Sequence, residues 1–126
     1  MPPYTIDITV EEEIAVDAAS VEETLIFTLN HLDVGPCEVS VSFVGDATIQ
    51  QLNRQYRNLD EPTDVLSFPQ EEGEGFFGPV RILGDIVISL DTMERNALLF
   101  DVEPSIELQR LLIHGVLHLL GRDHAT

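Results

Sequence analysis

The chain has 126 residues, 44% of them apolar, and its 23 acidic residues and six arginines give a net charge of −17. This length suits one compact domain covering residues 1 to 126, and the apolar content excludes a disordered chain. No apolar run reaches membrane-spanning length, the N-terminus lacks a basic and apolar leader, and the lone Cys37 excludes an internal disulfide. We therefore expect a cytoplasmic protein with Cys37 in its core. Taken alone, the acidic charge argues against an RNA or DNA partner.

The first third of the chain predicts two strands joined by a helix. Apolar and polar residues alternate over residues 4 to 10, which is typical of a half-buried strand. Ser20-Val-Glu-Glu23 predicts a capping box, and apolar residues at helical spacing extend that helix to about Asp33. Alternation returns over residues 37 to 43. Two strands joined by a helix predict a right-handed parallel crossover.

The middle of the chain predicts a second helix and two more strands. Asp46 is expected to cap this helix, whose inner face carries Ile49, Leu52 and Tyr56. Residues 64 to 68 and residues 82 to 89 are rich in β-branched and large apolar residues, which favours strands. We expect these two strands to pair as a hairpin across a long Gly/Pro/Glu-rich loop.

The last third of the chain predicts two helices. One covers residues 90 to 100, and the other covers residues 106 to 120, with Pro104-Ser105 before it and Gly121 at its end. Because the final helix is apolar nearly all round, we expect it to be buried. The predicted fold class is α+β, with a small mixed sheet surrounded by helices and a buried C-terminal helix that carries histidines.

Three histidines lie close together in the C-terminal sequence HGVLHLLGRDH. His114 and His118 are one turn apart on one helix face, and Gly121 allows the chain to turn so that His124 approaches them. Burying two imidazoles without a shared purpose is costly. A Zn²⁺ ion bound by all three removes this cost and leaves a fourth position open, as in catalytic zinc sites. We therefore predict one zinc ion per chain.

The same spacing matches the metzincin peptidase pattern, H-E-x-x-H-x-x-G-x-x-H. Gly115 stands where that pattern has its catalytic glutamate. A peptidase would lack its general base here, and we expect Gly115 instead to leave open space beside the metal. A zinc metallopeptidase or another zinc hydrolase stays as an alternative, and so does a non-enzymatic module with a structural metal.

Several acidic residues are candidates for orienting the metal ligands through hydrogen bonds. Glu107 lies two turns before His114 on nearly the same face, and Asp123 neighbours His124. Each is either such a support or a solvated surface acid. Asp64 and Asp85 lie inside apolar strands, where an acid indicates a capped turn, a paired arginine or a contact to a metal ligand.

Arg57 is a candidate for binding phosphate. It ends the second predicted helix beside a tight turn. A guanidinium grips phosphate with two donors and stabilises charge in a transition state. The alternative is a surface arginine that interacts with the helix C-terminus.

Three segments in this order resemble the YbeY family of bacterial rRNA maturation factors: LNRQYRNLDEPTDVLSFP, LGDIVIS and ELQRLLIHGVLHLLGRDH. The resemblance runs from about residue 40 to the C-terminus. It implies a mixed sheet, mostly four-stranded, surrounded by helices. It also implies zinc on His114, His118 and His124, and a functional role for Arg57.

The resemblance further implies a metal-dependent endoribonuclease that is specific for single strands. Such a protein matures the 3′ end of 16S rRNA and acts in ribosome quality control, so its partners are single-stranded RNA and the small ribosomal subunit, with no membrane and no DNA. We expect zinc, Arg57, Arg110 and Arg122 to create a local positive field within the acidic surface.

Overall fold

The structure, a computed structural model, describes residues 4–11, 13–70 and 81–121. Within these ranges the chain forms four strands and four helices. The strands are β1 (Tyr4–Val10), β2 (Cys37–Val44), β3 (Val65–Pro69) and β4 (Arg81–Ser89). The helices are α1 (Ala18–His31), α2 (Asp46–Arg57), α3 (Leu90–Leu99) and α4 (Pro104–Leu119).

The strands form one mixed sheet in the order β1-β2-β4-β3. β2 pairs in parallel with β1 and with β4, and β3 pairs with β4 in the antiparallel direction. The predicted parallel pairing of the first two strands and the predicted hairpin are both confirmed. The predicted α+β class with a mixed, four-stranded sheet is also confirmed. β1 and β3 form the two edges of the sheet.

The two faces of the sheet differ in polarity because side chains alternate along each strand. In β2, Val39, Val41 and Phe43 are buried on one face, and Ser40 and Ser42 lie half-buried on the other. Helices α1, α3 and α4 pack with the apolar face into the main core. That core includes the buried residues Tyr4, Val21, Leu25, Leu29, Cys37, Leu83, Ile86, Ile88, Met93, Leu111, Leu112, Val116 and Leu119.

Helix α2 lies on the more polar face and builds a smaller cluster there. Ile49 is buried with Val44, Leu66 and Val87 in this cluster. Because α2 covers only part of this face, other residues of the face keep access to solvent. None of the described helices is long and apolar enough to cross a bilayer.

The two predicted helix caps are wrong, because the residue directly before each helix is the N-cap residue. The carboxylate of Asp17, and not the hydroxyl of Ser20, caps α1 by accepting a hydrogen bond from the Ser20 amide (3.3 Å). Gly45 is the N-cap residue of α2, and its amide donates to Glu11 (2.8 Å). Asp46 is the first residue of α2, and its carboxylate turns towards α3 instead of capping its own helix.

Candidate functional site

Two glycines allow α4 to lie very close to the sheet. A Cβ atom at Gly115 would be 2.9 Å from Cδ1 of Ile86 on β4. A Cβ atom at Gly84 would collide with the carbonyl oxygen of Phe68 and lie 3.0 Å from Leu119 of α4. The contact of Gly115 with Ile86 turns this side of α4 towards the sheet, and His114 and His118 therefore face the flank.

His114 and His118 lie on one flank of α4, beside the stripe that packs on the sheet. His114 is exposed and His118 is half-buried. The prediction that the helix buries both imidazoles is therefore wrong, because the buried stripe runs through Leu112, Gly115 and Val116 and leaves this flank partly open. The helix is buried along one side only.

The pair fits two corners of a metal site. The i, i+4 spacing on one continuous helix places both imidazoles on the same face, which is how a single helix supplies two nitrogen ligands. Gly121 has φ of 72°, so the chain leaves the helix as the sequence predicts. His124 and its neighbour Asp123 lie outside the described residues. Within the described residues, no group of three or more His, Cys, Asp or Glu side chains is placed to hold a metal ion.

The sequence led us to expect that Gly115 opens space beside the histidines, but the structure shows that it does not. It is buried and points at Ile86, so the space beyond it is already filled. In the metzincin pattern this position carries the catalytic glutamate. A glutamate side chain here would enter the core and not the histidine flank, so the packing of α4 opposes the peptidase alternative.

Glu107 is buried on the same flank as the two histidines, with 5% of its surface exposed. Its two carboxylate oxygens accept hydrogen bonds from Nε (3.0 Å) and an Nη (2.6 Å) of Arg110. These bonds lower the pKa of Glu107 below its ordinary value, although burial alone would raise that pKa. Glu107 is therefore an ionised partner of Arg110 and not a solvated surface acid.

Arg110 is correspondingly not a free cation. Besides Glu107, it has Asp64 at 4.0 Å from an Nη atom. The expected contribution of Arg110 to a positive field is therefore wrong, since two carboxylates offset its charge. For Asp64, the structure supports the paired-arginine alternative, and Asn96 also donates a hydrogen bond to it (3.4 Å). Arg122 lies outside the described residues.

Asp85 lies on the other side of the sheet from α4. Its neighbours Gly84 and Ile86 both face α4, so the side chain of Asp85 points to the opposite face. There it lines a hollow beside α2. The structure thus does not bring Asp85 together with His114, His118 and Glu107.

Arg57 is the last residue of α2, and its side chain is exposed. The helix ends in a Schellman arrangement, in which the amides of Asn58 and Leu59 donate to the carbonyls of Arg54 and Asn53. Asn58 adopts the left-handed conformation that this arrangement requires (φ 64°). The backbone that carries Arg57 is therefore held firmly. Its guanidinium forms no hydrogen bond or ion pair with the residues that the structure describes.

The pairing of Glu107 with Arg110 is the feature of this site that the sequence analysis missed. The two residues are three apart on a helix, which is a spacing at which opposite charges meet. That spacing is visible in the sequence, but the burial of Glu107 is not.

The chain is similar to known proteins over most of its length. The family model described as Endoribonuclease YbeY matches residues 6–126. The endoribonuclease YbeY of Treponema denticola is 46% identical over 88% of this chain and 73% of its own length. That of Chloroflexus aggregans is 41% identical over 96% of this chain and 82% of its own length.

A solved structure shares the fold as well. The solution structure of a protein from Thermotoga maritima aligns with a TM-score of 0.61 and 34% identity, over 95% of this chain and 75% of that one. The resemblance seen in the sequence motifs is thus confirmed by matches that extend over nearly the whole chain. The chain belongs to the endoribonuclease YbeY family.

Proposed function

We propose that this protein is a metal-dependent endoribonuclease that cleaves single-stranded RNA in the cytoplasm. Its role would be to mature the 3′ end of 16S rRNA on the small ribosomal subunit and to act in ribosome quality control. The observation that carries this proposal is the pair His114 and His118 on a partly open flank of α4. Relatives over most of the chain carry the name endoribonuclease, which supports RNA as the substrate.

His114, His118 and His124 are the residues that would hold the metal. Zinc suits three neutral imidazoles, and other divalent ions also bind such ligands. When bound, such an ion supplies a Lewis acid that polarises a phosphoryl oxygen and lowers the pKa of water. The partial exposure of this flank gives RNA a path to the site.

Arg57 is the residue that we propose for binding the phosphate. Its guanidinium is exposed and is not paired with an acid among the described residues, whereas Arg110 is held by Glu107 and Arg95 by Asp46. It can therefore offer two parallel donors to a phosphate and stabilise the negative charge that develops during cleavage. Because the end of α2 is firmly held, Arg57 loses less conformational freedom when it binds a phosphate.

Glu107 and Arg110 would stabilise the fold around the site and would not bind the RNA. Their ion pair lies on the histidine flank, one to two turns from His114. Because each offsets the charge of the other, the pair itself contributes no net charge beside the histidines. Beside the metal, single-stranded RNA would be held through its phosphates and not by base readout.

The decisive experiment combines elemental analysis with RNA digestion. Purified protein is analysed for metal and incubated with a single-stranded and a double-stranded RNA, with and without a chelator. We expect metal in the protein, cleavage of the single strand only, and loss of cleavage after chelation. Cleavage that persists in fully metal-free protein would contradict the proposal.

The same samples test the structural-metal alternative. Removing a structural zinc ion lowers the melting temperature strongly, whereas removing a catalytic metal spares most of the fold. A chelated protein that stays folded but no longer cleaves RNA supports the enzyme. A chelated protein that unfolds, together with an untreated protein that never cleaves, supports a ribosome-associated module instead.

A further inference from the structure

The face of the sheet opposite α4 contains a hollow of about 490 Å³ that the proposed chemistry does not use. It lies between α2 and strands β2, β3 and β4. Its lining includes Ser42, Leu52, Tyr56, Phe68, Gln70 and Asp85. This volume is in the range of sites that bind small molecules or single nucleotides.

The polar side chains in this hollow have no partners within the described part of the chain. Asp85 and Ser42 are both half-buried, and neither side chain forms a hydrogen bond or an ion pair with a described residue. Other acids are paired: Asp46 with Arg95, and Glu107 with Arg110. Asp85 is therefore an acceptor that is left available for a ligand with hydrogen-bond donors.

One wall of the hollow is aromatic. Tyr56 is 60% exposed, and its ring meets Phe68 of β3 at 5.1 Å between centroids with an angle of 65° between the planes. This edge-on contact holds the Tyr56 ring in place and leaves much of it open for stacking. The next residue is Arg57, whose exposed guanidinium we propose for phosphate binding.

These groups restrict the chemistry of the ligand. A phosphate would be repelled by Asp85, and a hydrocarbon ligand without donors would leave this carboxylate without a partner. A flat aromatic ligand with neighbouring N–H groups satisfies both the carboxylate and the aromatic wall. Among the RNA bases, guanine presents two adjacent donors, its N1–H and its 2-amino group, which match the two oxygens of one carboxylate. Uracil presents only one donor on that edge.

We propose that this hollow binds an unpaired guanine base, with Asp85 accepting its two donors and Tyr56 stacking on its ring. The inference rests on the proposed function, because it places the base in the same RNA whose phosphate Arg57 would bind. The edge strand β3 lies between the hollow and α4, so the guanine would bind beside this edge. We therefore expect cleavage at a fixed number of nucleotides from a guanine.

The test is a titration of the whole protein with the four free nucleosides, followed by the amide NMR shifts of Asp85 and Val87. Nucleosides carry no phosphate, so the titration reports on the base site and not on Arg57. We expect guanosine to bind at least about tenfold more tightly than uridine, as a bidentate contact predicts. Asp85→Asn should abolish this preference, and Tyr56→Ala should weaken the binding of all four nucleosides.

Two matched variants guard against indirect effects. Tyr56→Phe keeps the ring and should restore the binding that Tyr56→Ala loses. Asp7→Asn removes one exposed negative charge from β1, on the same face of the sheet but outside the hollow, and should keep the guanosine preference. Equal affinities for guanosine and uridine, or an unchanged preference in Asp85→Asn, would overturn the guanine site.

Cleavage of a single-stranded RNA with one guanine is measured in parallel. If the wild type binds guanosine but does not cut RNA, the proposed function fails and the base site stands. If it cuts RNA at positions unrelated to the guanine and shows no guanosine preference, the proposed function stands and the base site fails.

Discussion

Gly115 of α4 and Ile86 of β4 touch so closely that a methyl group at residue 115 would lie 2.9 to 3.1 Å from three carbons of the Ile86 side chain. This contact brings α4 onto the sheet and turns His114 and His118 towards its flank. Glycine at this position therefore serves packing, and it sets the orientation of the candidate metal ligands.

The first prediction concerns this contact. Gly115→Ala gains about 0.8–1 kcal/mol from helix propensity but loses about 1–3 kcal/mol from overpacking. We expect a net loss of about 1 kcal/mol in the free energy of unfolding, measured by urea denaturation. Adding Ile86→Val should recover part of this loss. A Gly115→Ala variant that is more stable than the wild type would show that Ile86 moves aside freely.

The second prediction concerns the metal ligands. His114→Ala and His118→Ala should each reduce bound zinc from about one ion per chain to background, because each removes one of three protein ligands. The measurement is elemental analysis after gel filtration. His31→Ala is the matched control, since this imidazole stacks on Phe27 in α1 and should not affect metal content. Full metal content in both α4 variants would contradict the proposed site.

The third prediction concerns Arg57. Arg57→Ala should slow cleavage of single-stranded RNA by about 10²–10³-fold, as expected when a donor to transition-state charge is lost, while metal content stays unchanged. Arg57→Lys should restore only part of the rate, because an ammonium group lacks the two parallel donors. Arg54→Ala, also exposed in the last turn of α2, is the control and should cleave normally. Equal rates for both alanine variants would remove Arg57 from the mechanism.

The fourth prediction concerns the pH dependence of stability. The hydrogen bonds from Arg110 hold the pKa of Glu107 below its ordinary value of 4.5. A carboxyl whose pKa is lower in the folded state stabilises the fold above pH 4.5, and this contribution is lost as the pH falls through the lowered pKa. Glu107→Gln should therefore reduce stability at pH 7 by about 1 kcal/mol, a modest value because Arg110 is more than half exposed.

The difference between Glu107→Gln and the wild type should narrow as the pH is lowered from 5 towards 3. Urea denaturation at several pH values measures this difference. Glu103→Gln changes an exposed glutamate at the start of the same helix and should show a much smaller effect at pH 7. A constant difference across this pH range would mean that the ion pair is not its source.

The fifth prediction concerns Asp46, which links the N-terminal ends of α2 and α3. Its carboxylate accepts hydrogen bonds from Ser89 (2.9 Å), Thr92 (2.6 Å) and Arg95 (2.7 Å). Asp46→Asn should lower the free energy of unfolding by about 2 kcal/mol, because bonds to a charged acceptor are lost. Arg95→Gln should cost less than about 1 kcal/mol, since that side chain is 58% exposed. A larger loss of stability in Arg95→Gln than in Asp46→Asn would contradict this prediction.

The strands and helices were largely predictable because their signals are local. The alternation over residues 4 to 10 and 37 to 43 gave β1 and β2, and helical spacing gave α4 with both histidines on one face. The cap of α2 was not predictable in the same way. Asp46 bonds to Ser89 and Thr92, more than 40 residues away, and Glu11 takes the Gly45 amide from the end of β1. Such partners depend on how the elements assemble.

The candidate site was predictable in part for the same reason. The spacing of His114 and His118 is a property of one helix, but their exposure depends on which flank of that helix meets the sheet. The face of the sheet on which Asp85 lies depends on which residues of β4 point towards α4. These are Gly84 and Ile86, so Asp85 points to the other face. The sequence identified Asp85 as unusual, but it did not distinguish the two sides of the sheet.

The two edge strands, β1 and β3, affect whether copies of the protein aggregate in solution. An unguarded outer strand offers its free backbone groups to another molecule and seeds aggregates. Here the exposed carboxylate of Asp7 lies at the middle of β1, and the opposite strand has only five residues and ends at Pro69. If a second copy paired with β1, the Asp7 carboxylates of the two copies would come together and repel each other. If it paired with β3, Pro69 would have no amide hydrogen to donate. The protein should therefore remain dispersed when it is concentrated.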